Sequence, residues 1–346
     1  MSTLNVGLIG AGRIGKIHGE TLARRIPQAR LAAIADVHLP AAEELAAHLD
    51  GGRAAPRAVD DYRRLLDDAQ VEAVVIASAS DTHAQIVEEA AAAGKQIFCE
   101  KPIDFDLARI DRALAAVAHA GVKLQVGFNR RFDANFRKVR EMVAAGKIGQ
   151  PHVLRITSRD PAPPPIEYVK VSGGLFLDMT IHDFDMARFL MGSEVCEVYA
   201  TGAVLVDPAI GQAGDVDTAL ITLTFENGAI GAIDNSRRAV YGYDQRVEVF
   251  GSEGMVAAGN EAPDRHVYAN ASGVHHSLPY YFFLERYLDS YIAEMQAFVE
   301  AVLHDKAPPV SGQDGRIPVV LGLAAQQSLR EKRAVRLAGT AGDLTR

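Results

Sequence analysis

The chain has 346 residues, of which 48% are hydrophobic, and its formal net charge at pH 7 is −8. This length favours two domains, and the acidic balance excludes the basic field that attracts nucleic acid or anionic membranes. No apolar run of about 18 residues is present, so we expect neither a membrane span nor, given the polar start, a secretory leader. Cys99 and Cys196 have no C-x-x-C spacing, and we expect both to be reduced, buried thiols in a cytoplasmic protein.

Short apolar runs alternate with helical patterns in the first 125 residues. The predicted strands are Leu4 to Ile9, Leu31 to Asp36, Val71 to Ala77, Gln96 to Cys99 and Lys123 to Val126. The predicted helices between them are Ile14 to Arg25, Leu39 to His48, Thr82 to Ala93 and Leu107 to Ala120. Strands that are apolar throughout and separated by helices are typical of a parallel sheet covered on both faces. We therefore predict a doubly wound α/β domain over residues 1–126.

The pattern changes over residues 127–346, where strands follow one another with turns between them. We predict helices at Asn135 to Ala145, Leu175 to Met191, Tyr287 to Leu303 and Ile317 to Glu331, and a stiff loop at Pro161 to Pro165. The predicted strands are His152 to Arg159, Val195 to Val206, Thr218 to Phe225, Ala229 to Asn235 and Arg246 to Phe250. Asn227-Gly228 predicts a hairpin. This order indicates a second α/β domain with an open, mostly antiparallel sheet, and we expect a C-terminal helix to pack onto the first domain.

Gly10, Gly12 and Gly15 form a G-x-G-x-x-G loop that follows a strand and opens a helix. The first glycine permits the tight turn, the second lets backbone approach a pyrophosphate, and the third lets helix and strand pack closely. Taken alone, the motif is also compatible with an ordinary glycine turn. Asp36, 21 residues after Gly15, ends the second predicted strand, where an acid accepts hydrogen bonds from ribose hydroxyls. A carboxylate there repels a 2′-phosphate, so we predict NAD rather than NADP as the cofactor.

Ligands of doubly wound sheets bind beyond the carboxyl ends of the strands. The cofactor contacts that we predict are Gly10, Gly12, Arg13, Ile14, Asp36, Ser78, His83, Glu100 and Lys101. Glu100-Lys101-Pro102 forms a turn at such a strand end. Its lysine can donate a hydrogen bond to a substrate oxygen or stabilise an alkoxide, although a solvated surface lysine is the commoner case. Whether the bond before Pro102 is cis or trans stays open at this point.

Asp178, His182 and Asp185 share one face if the segment around them is helical. Three interpretations compete. His182 can be a general base that Asp178 orients, the three side chains can bind a divalent ion, or Asp178 and His182 can be a structural pair. The dinucleotide motif upstream favours the catalytic interpretation, and no second cluster of histidine or cysteine completes a metal site. We expect no metal.

The chain resembles the glucose–fructose oxidoreductase/inositol dehydrogenase/rhizopine-catabolism (Gfo/Idh/MocA) family over nearly its whole length. The resemblance lies in the glycine loop, in Glu100-Lys101-Pro102, in Gly127-Phe-Asn-Arg-Arg131 and in the stretch SGGLFLDMTIHDFDMARFLMG from Ser172. Within the family, Ser158-Arg-Asp-Pro161 and Tyr241-Gly-Tyr-Asp244 are similar to substrate-domain segments of inositol 2-dehydrogenases. The resemblance implies a Rossmann domain followed by an α/β domain with a large open sheet.

The resemblance also implies roles. Lys101, Asp178 and His182 match the family's catalytic residues, and Asp183 matches a position that binds polyol hydroxyls. Asp160 stands where inositol dehydrogenases often have asparagine, and Tyr241 or Tyr243 is expected to line the substrate pocket. Members usually form dimers or tetramers through the open face of the sheet. We expect exposed apolar residues on that face, including Leu220, Ile221 and Ile233.

The implied reaction is oxidation of a cyclic polyol hydroxyl to a ketone, with NAD as the hydride acceptor and His182 as the general base. Myo-inositol is the expected substrate and its 2-keto derivative, scyllo-inosose, the expected product. The alternatives are a scyllo-inositol or glucose-type aldose dehydrogenase, a non-catalytic NAD-dependent sugar sensor, and a metal-dependent hydrolase. The expected partners are a small polyol and further copies of the chain, with neither nucleic acid nor membrane.

Overall fold

A computed structural model describes residues 3–50, 55–338 and 343–344 of the chain. It separates the chain into two units, which are Met1–Phe132 with Asp289–Arg316, and Asp133–Leu288 with Ile317–Arg346. The first division therefore falls at 132/133 and not at the expected 126/127. The first unit also includes a late segment of the chain, from Asp289 to Arg316, so it is discontinuous in sequence.

The strands of the first unit are β1 (Leu4–Ile9), β2 (Ala29–Ala35), β3 (Arg57–Val59), β4 (Ala73–Ile76), β5 (Gln96–Glu100) and β6 (Leu124–Gly127). The helices between these strands are α1 (Arg13–Arg24), α2 (Leu39–His48), α3 (Arg63–Leu66), α4 (His83–Ala92) and α5 (Leu107–Ala120). All six strands pair in parallel in the order β3-β2-β1-β4-β5-β6. The prediction of a doubly wound parallel sheet is confirmed.

Local sequence explains where several helices begin and end. The carboxylate of Asp106 accepts a hydrogen bond from the backbone N–H of Arg109 and caps the start of α5. That helix stops at Gly121, whose φ of +66° lies in the left-handed region that favours glycine. Asp133 caps the first helix of the second unit in the same way, by accepting from the N–H groups of Asn135 and Phe136.

The remaining helices are α6 (Ala134–Ala144), α7 (Ile166–Val169), α8 (Gly174–Asp178), α9 (Thr180–Met191), α10 (Pro208–Gln212), α11 (Phe283–Leu303) and α12 (Gly312–Glu331). The remaining strands are β7 (Pro151–Arg159), β8 (Val195–Ala203), β9 (Thr218–Phe225), β10 (Ile230–Ser236), β11 (Asp244–Gly251), β12 (Gly254–Ala258), β13 (Val267–Asn270), β14 (Gly273–His276), β15 (Val335–Ala338) and β16 (Asp343–Leu344). The helix expected over Leu175 to Met191 is thus two consecutive helices, α8 and α9, which divide at Met179.

The large sheet of the second unit has the order β12-β11-β7-β10-β9-β8-β15-β16. The β7–β10 pair is parallel and the other pairs are antiparallel, which confirms a mostly antiparallel sheet. Asn227 and Gly228 connect β9 and β10, and Gly228 has the positive φ, +84°, that this hairpin needs. The second unit therefore presents one broad sheet.

Alternation along the strands sets which side chains the sheet exposes. Leu220 is 57% exposed, as expected, but Ile221 and Ile233 are fully buried and pair directly across β9 and β10. The expectation that all three are exposed was wrong for the two isoleucines, because neighbours in a strand point to opposite faces. Cys196 is half-buried, whereas Cys99 is buried as expected, and both are free thiols. Among the described residues, no helix combines the length and apolarity needed to cross a bilayer.

The core of the first unit combines the sheet with helices from both parts of its sequence. Leu8 of β1, Phe98 of β5 and Leu22 of α1 lie in one buried cluster with Met295 and Phe298 of α11. The rings of Phe98 and Phe298 are 5.8 Å apart in an edge-to-face arrangement. The late segment of the chain therefore completes the core of the first unit.

Candidate active site

The glycine loop joins β1 to α1 with the close contacts that the motif predicts. Gly10 has φ +101°, and a Cβ there would lie 2.5 Å from the carbonyl oxygen of Ala77. A Cβ on Gly15 would lie 1.9 Å from the carbonyl oxygen of Gly10, so only glycine allows this approach of helix and strand. A Cβ on Gly12 would meet nothing within 4 Å. The space above Gly12, at the amino end of α1, fits the approach of a pyrophosphate.

Asp36 follows β2 and holds the loop with its carboxylate. Its Oδ2 accepts a hydrogen bond of 2.7 Å from the N–H of Ala11, and its Oδ1 accepts one of 2.8 Å from the N–H of His38. Asp36 is half-buried, and Val37 beside it is almost fully exposed. The acid therefore stands next to the glycine turn with free lone pairs on both oxygens, as recognition of a ribose requires.

His83 is buried and fixes two main-chain segments. Its Nδ1 lies 2.8 Å from the carbonyl oxygen of Pro102 and its Nε2 lies 3.1 Å from that of Ser78. The peptide bond between Lys101 and Pro102 is cis. Because both ring nitrogens meet carbonyl groups, His83 orients the chain at Ser78 and at the lysine turn. The contact of His83 with the cofactor stays a prediction.

Glu100 also points into the unit. It is buried, and its Oε1 lies 2.6 Å from Nε2 of His18 on α1. Lys101 next to it is half-buried, and Arg13 on the glycine loop is exposed. The predicted cofactor residues thus divide into a group at the surface around the loop and a supporting group, Glu100 and His83, inside.

In the second unit, two predicted site carboxylates are held by one arginine. The guanidinium of Arg237 donates to Oδ2 of Asp178 at 2.9 Å and to Oδ2 of Asp160 at 3.2 Å. Tyr168 donates its hydroxyl proton to Oδ1 of Asp178 at 2.9 Å. Arg237 retains only 3% of its surface, so both acids are fixed from the interior side.

Burial and charge act in opposite directions at this cluster. Burial lowers the pKa of Arg237, but the charges and hydrogen bonds of Asp178 and Asp160 outweigh it, so the pKa lies above its ordinary value. Burial raises the pKa of Asp215, against the opposing effects of the Val216 N–H and of Arg237. Arg237 therefore stays positively charged, and it acts on the carboxyl groups of Asp160, Asp178 and Asp215.

His182 is half-buried in the first turn of α9, one residue from Asp183. Asp183 is fully buried, and its Oδ2 accepts a hydrogen bond of 2.8 Å from the amide of Asn235 on β10. Thr180 donates to Oδ1 of the same asparagine at 2.6 Å. This arrangement ties the start of α9 to the centre of the sheet and fixes the backbone that carries His182. Asp183 is thus part of the buried network that supports the start of α9.

The two tyrosines differ in surroundings. The hydroxyl of Tyr241 donates to Oδ2 of Asp244 at 2.6 Å and accepts from Arg159 at 3.1 Å, and the ring is partly exposed. Tyr243 is buried, with its ring edge-to-face against Tyr287 at 6.0 Å. Of the two alternatives left open by the sequence, Tyr241 is the one whose side chain reaches the surface.

Sequence reasoning missed the supporting residues Arg237, Tyr168 and Asn235. Each lies outside the recognised motifs, and only the pairing of β10 with β7 brings Arg237 to Asp160. Within the described ranges, the three ligating side chains close enough to share one ion are His18, Glu100 and Glu294. Asp178, His182 and Asp185, which the metal interpretation requires, do not form such a group there.

A glycine-loop Rossmann unit and a second unit carrying a histidine and anchored carboxylates define a two-domain, nicotinamide-dependent oxidoreductase. Residues 4–128 match the oxidoreductase family with an NAD-binding Rossmann fold, and residues 136–257 match the GFO/IDH/MocA C-terminal domain. The chain belongs to the Gfo/Idh/MocA oxidoreductase family, and its cofactor is NAD.

Three relatives cover almost the whole chain. A myo-inositol 2-dehydrogenase from Thermotoga maritima is 52% identical over 96% of this chain and 98% of that protein. An inositol 2-dehydrogenase from Rhizobium meliloti is 46% identical over 97% of this chain and all of that protein. The solved structure of scyllo-inositol dehydrogenase from Lactobacillus casei with bound NAD(H) and scyllo-inositol superposes with a TM-score of 0.90 at 32% identity. That match covers 97% of this chain and 99% of the other.

Proposed function

We propose that this enzyme oxidises the 2-hydroxyl of myo-inositol to the ketone scyllo-inosose with NAD. NAD, when bound, supplies the hydride acceptor. The relatives from Thermotoga maritima and Rhizobium meliloti, at 52% and 46% identity, support an inositol as the substrate. The observation that carries the proposal is the pair of carboxylates, Asp160 and Asp178, fixed on the buried Arg237. Rigid acceptors of this kind suit a ligand whose surface is a ring of hydroxyl groups.

We assign the proton chemistry to three residues. His182 takes the proton from the hydroxyl that is oxidised, since imidazole is the commonest general base in proteins and this one is half-buried at the start of α9. Lys101 donates a hydrogen bond to a substrate oxygen while negative charge develops on it. Asp178, immobilised by Arg237 and Tyr168, provides a fixed negative charge that favours the protonated imidazole.

The remaining predicted residues hold the ligands. Gly10, Gly12, Arg13 and Ile14 surround the pyrophosphate, and Asp36 accepts from the ribose hydroxyls. Asp160 and Tyr241 bind substrate hydroxyls, while Asp183, Tyr243, Ser78, His83 and Glu100 fix the segments that carry the contacting groups. This division assigns to the second group a positioning role in place of the direct contacts expected from the sequence.

Two further proposals concern the protein as a whole. The outer face of the sheet in the second unit exposes Tyr199, Leu220, Ile230 and Phe250, which favours a homo-oligomer, as a dimer or a tetramer. Free thiols at both cysteines are compatible with a reducing, cytoplasmic location.

A substrate panel tests the reaction. NADH formation is measured with myo-inositol, scyllo-inositol and D-glucose at equal concentrations, with and without a chelator. The proposal predicts the largest kcat/KM for myo-inositol and no effect of the chelator. A larger kcat/KM for scyllo-inositol or for glucose would instead identify a scyllo-inositol or an aldose dehydrogenase. Tight polyol binding with no NADH formed would identify a sensor.

The general-base assignment is tested with His182→Ala. We expect kcat for myo-inositol to fall by about 10²–10⁴-fold, the usual contribution of a general base, while the Kd for NAD stays the same. His276→Ala, which removes an exposed histidine on β14, is the matched control and should behave as the wild type. Turnover of the His182 variant within a few-fold of the control would reject the role.

A further inference from the structure

Three titratable side chains meet in the interior of the first unit. His18 of α1, Glu100 of β5 and Glu294 of α11 place one ligating atom each within 4.8 Å of one another, and all three are buried. The His18 Nε2 and the Glu100 Oε1 are 2.6 Å apart, which is a short hydrogen bond. The rings of Phe98 and Tyr291 stand edge-on to His18 at 5.1 and 5.9 Å. The mechanism proposed above uses none of the three side chains directly.

Glu294 is the unusual member. Its side chain has no accessible surface, and neither of its carboxyl oxygens has a hydrogen-bond partner among the described residues. The neighbouring Gln125 is also fully buried, and its amide donates to the main-chain oxygen of Glu294 at 2.8 Å, so the backbone of α11 is held there. An ionised carboxylate in such surroundings carries the full cost of lost hydration with nothing to offset it.

Counting charges favours a neutral acid. Glu100 accepts the proton of His18 Nε2, and Nδ1 of His18 has no partner in the described part of the chain. A neutral imidazole protonated at Nε2 satisfies that geometry, because Nδ1 then needs no acceptor. With His18 neutral and Glu100 ionised, a charged Glu294 would give the interior two negative charges and no compensating cation. Protonation of Glu294 leaves one negative charge, which His18 stabilises.

We propose that Glu294 is an uncharged carboxylic acid in the folded protein, and that the adjoining pair of His18 and Glu100 positions the Lys101 turn relative to the glycine loop. The geometry supports the second half. His18 lies on the helix that the glycine loop opens, and Glu100 precedes Lys101 directly. The hydrogen bond between them thus joins the two segments of the first unit to which cofactor and proton chemistry are assigned. The positioning role rests on the proposed function of Lys101, whereas the protonation of Glu294 is independent of it.

The surrounding groups agree with this assignment. Burial first, and the negative charge of Glu100 second, raise the pKa of Glu294 well above its ordinary value. Two other titratable groups lie against the cluster, namely Tyr291 on α11, whose ring is 5.9 Å from that of His18, and Cys99 on β5, which precedes Glu100. Burial and Glu100 also raise the pKa of the Cys99 thiol, which keeps it neutral. None of these groups supplies a positive charge to an ionised Glu294.

The pH dependence of unfolding tests the protonation. Above the ordinary pKa of glutamate, about 4.3, the folded protein holds a proton that the unfolded chain has lost. This group therefore makes stability fall as pH rises, by about tenfold in the unfolding equilibrium constant per pH unit, until the folded pKa is reached. Glu294→Gln removes this pH dependence of stability, whereas Glu300→Gln, at an exposed site on the same helix, leaves it unchanged.

The ratio of the unfolding constants of the wild type and Glu294→Gln should thus climb steeply between pH 5 and pH 8. A flat ratio would overturn the protonation. Should Glu294→Gln not fold, the infrared spectrum of the NAD-bound wild type decides, because a protonated carboxyl group gives its own carbonyl band at neutral pH. Absence of that band would contradict the proposal. So would stoichiometric metal in the purified enzyme that Glu294→Gln lacks, since the carboxyl would then be an ionised ligand.

Kinetics test the positioning role. Glu294→Gln should keep kcat for myo-inositol within about twofold, since an amide preserves neutral polarity and shape. His18→Phe removes the donor to Glu100, and we expect kcat to fall about tenfold or more with little change in the KM for the polyol. His18→Gln, which restores a donor, should recover part of the loss. A His18→Phe enzyme with unchanged kcat would refute the positioning role. A wild type that oxidises no polyol would instead refute the proposed function and leave the pH experiment valid.

Discussion

Arg237→Met removes a buried guanidinium that holds both Asp160 and Asp178 while nearly preserving side-chain length. The guanidinium is buried and donates to both carboxylates at 3.2 and 2.9 Å. In the variant both acids lose this partner, and Asp215 loses a charge that opposes the upward shift of its pKa. We expect the second unit to be destabilised and Asp178 to lose its fixed orientation.

The magnitude follows from the burial of the three side chains. Removing one partner of a buried ion pair costs about 3–5 kcal/mol, because the other charge is left without compensation. The side chains of Asp178 and Asp160 are still 12% and 22% exposed, so water offsets part of the loss. We therefore expect about 3 kcal/mol, which for a unit of this size lowers the melting temperature by roughly 6–12 °C.

The assay is urea unfolding of Arg237→Met, Arg237→Lys and Arg238→Met, followed by circular dichroism. Arg238 is the exposed neighbour and its replacement should change the unfolding free energy by less than about 0.5 kcal/mol. Arg237→Lys keeps the charge but loses the two-acid geometry, so its value should lie between the others. If Arg237→Met is as stable as Arg238→Met and has wild-type kcat, the arginine does not anchor the acids and the reasoning fails.

Two further predictions concern single carboxylates. Asp36→Asn should lower the ratio of kcat/KM for NAD over NADP by about tenfold, because the charge that repels a 2′-phosphate is gone; an unchanged ratio would place Asp36 away from the ribose. At Asp217, burial opposes the charge, but the N–H groups of Leu205, Asp207 and Val206 outweigh it and lower the pKa. A lowered pKa gives stability that is present above about pH 4 and lost progressively as pH falls through the folded pKa, so Asp217→Asn should cost about 2 kcal/mol at pH 7 and less at pH 3. Urea unfolding at both pH values checks this, and equal losses would contradict it.

Sequence periodicity predicted most of the fold because the long elements repeat one pattern over many residues. β1, α2, α5 and β9 have the predicted bounds. Short elements such as β3 and α3 were not predicted, since three or four residues carry no period that distinguishes them from a loop. The helix expected across Met179 failed for another reason. Leu175, Met179, Met186 and Leu190 are all buried, so one apolar pattern runs across both α8 and α9 and gives no signal of the division between them.

Residues of the site were predictable where the local backbone geometry admits only one residue type. Gly10 and Gly15 were identified correctly because their neighbours leave no room for a Cβ. Arg237 could not be identified, because its partners lie 77 and 59 positions away in the sequence and meet it only in the folded second unit. Buried support leaves no local signal of this kind, and the bond of Glu100 to His18 was for the same reason not predicted.

The discontinuity of the first unit has a consequence for biosynthesis. A ribosome that has made residues 1–132 has delivered all six strands of the parallel sheet, but not the part of α11 that contributes Met295 and Phe298 to its core. Phe98 of the first unit then lacks its contact with Phe298 until α11 has been synthesised. A fragment that ends at Phe132 would therefore behave as a chaperone client and not as a self-sufficient NAD-binding module.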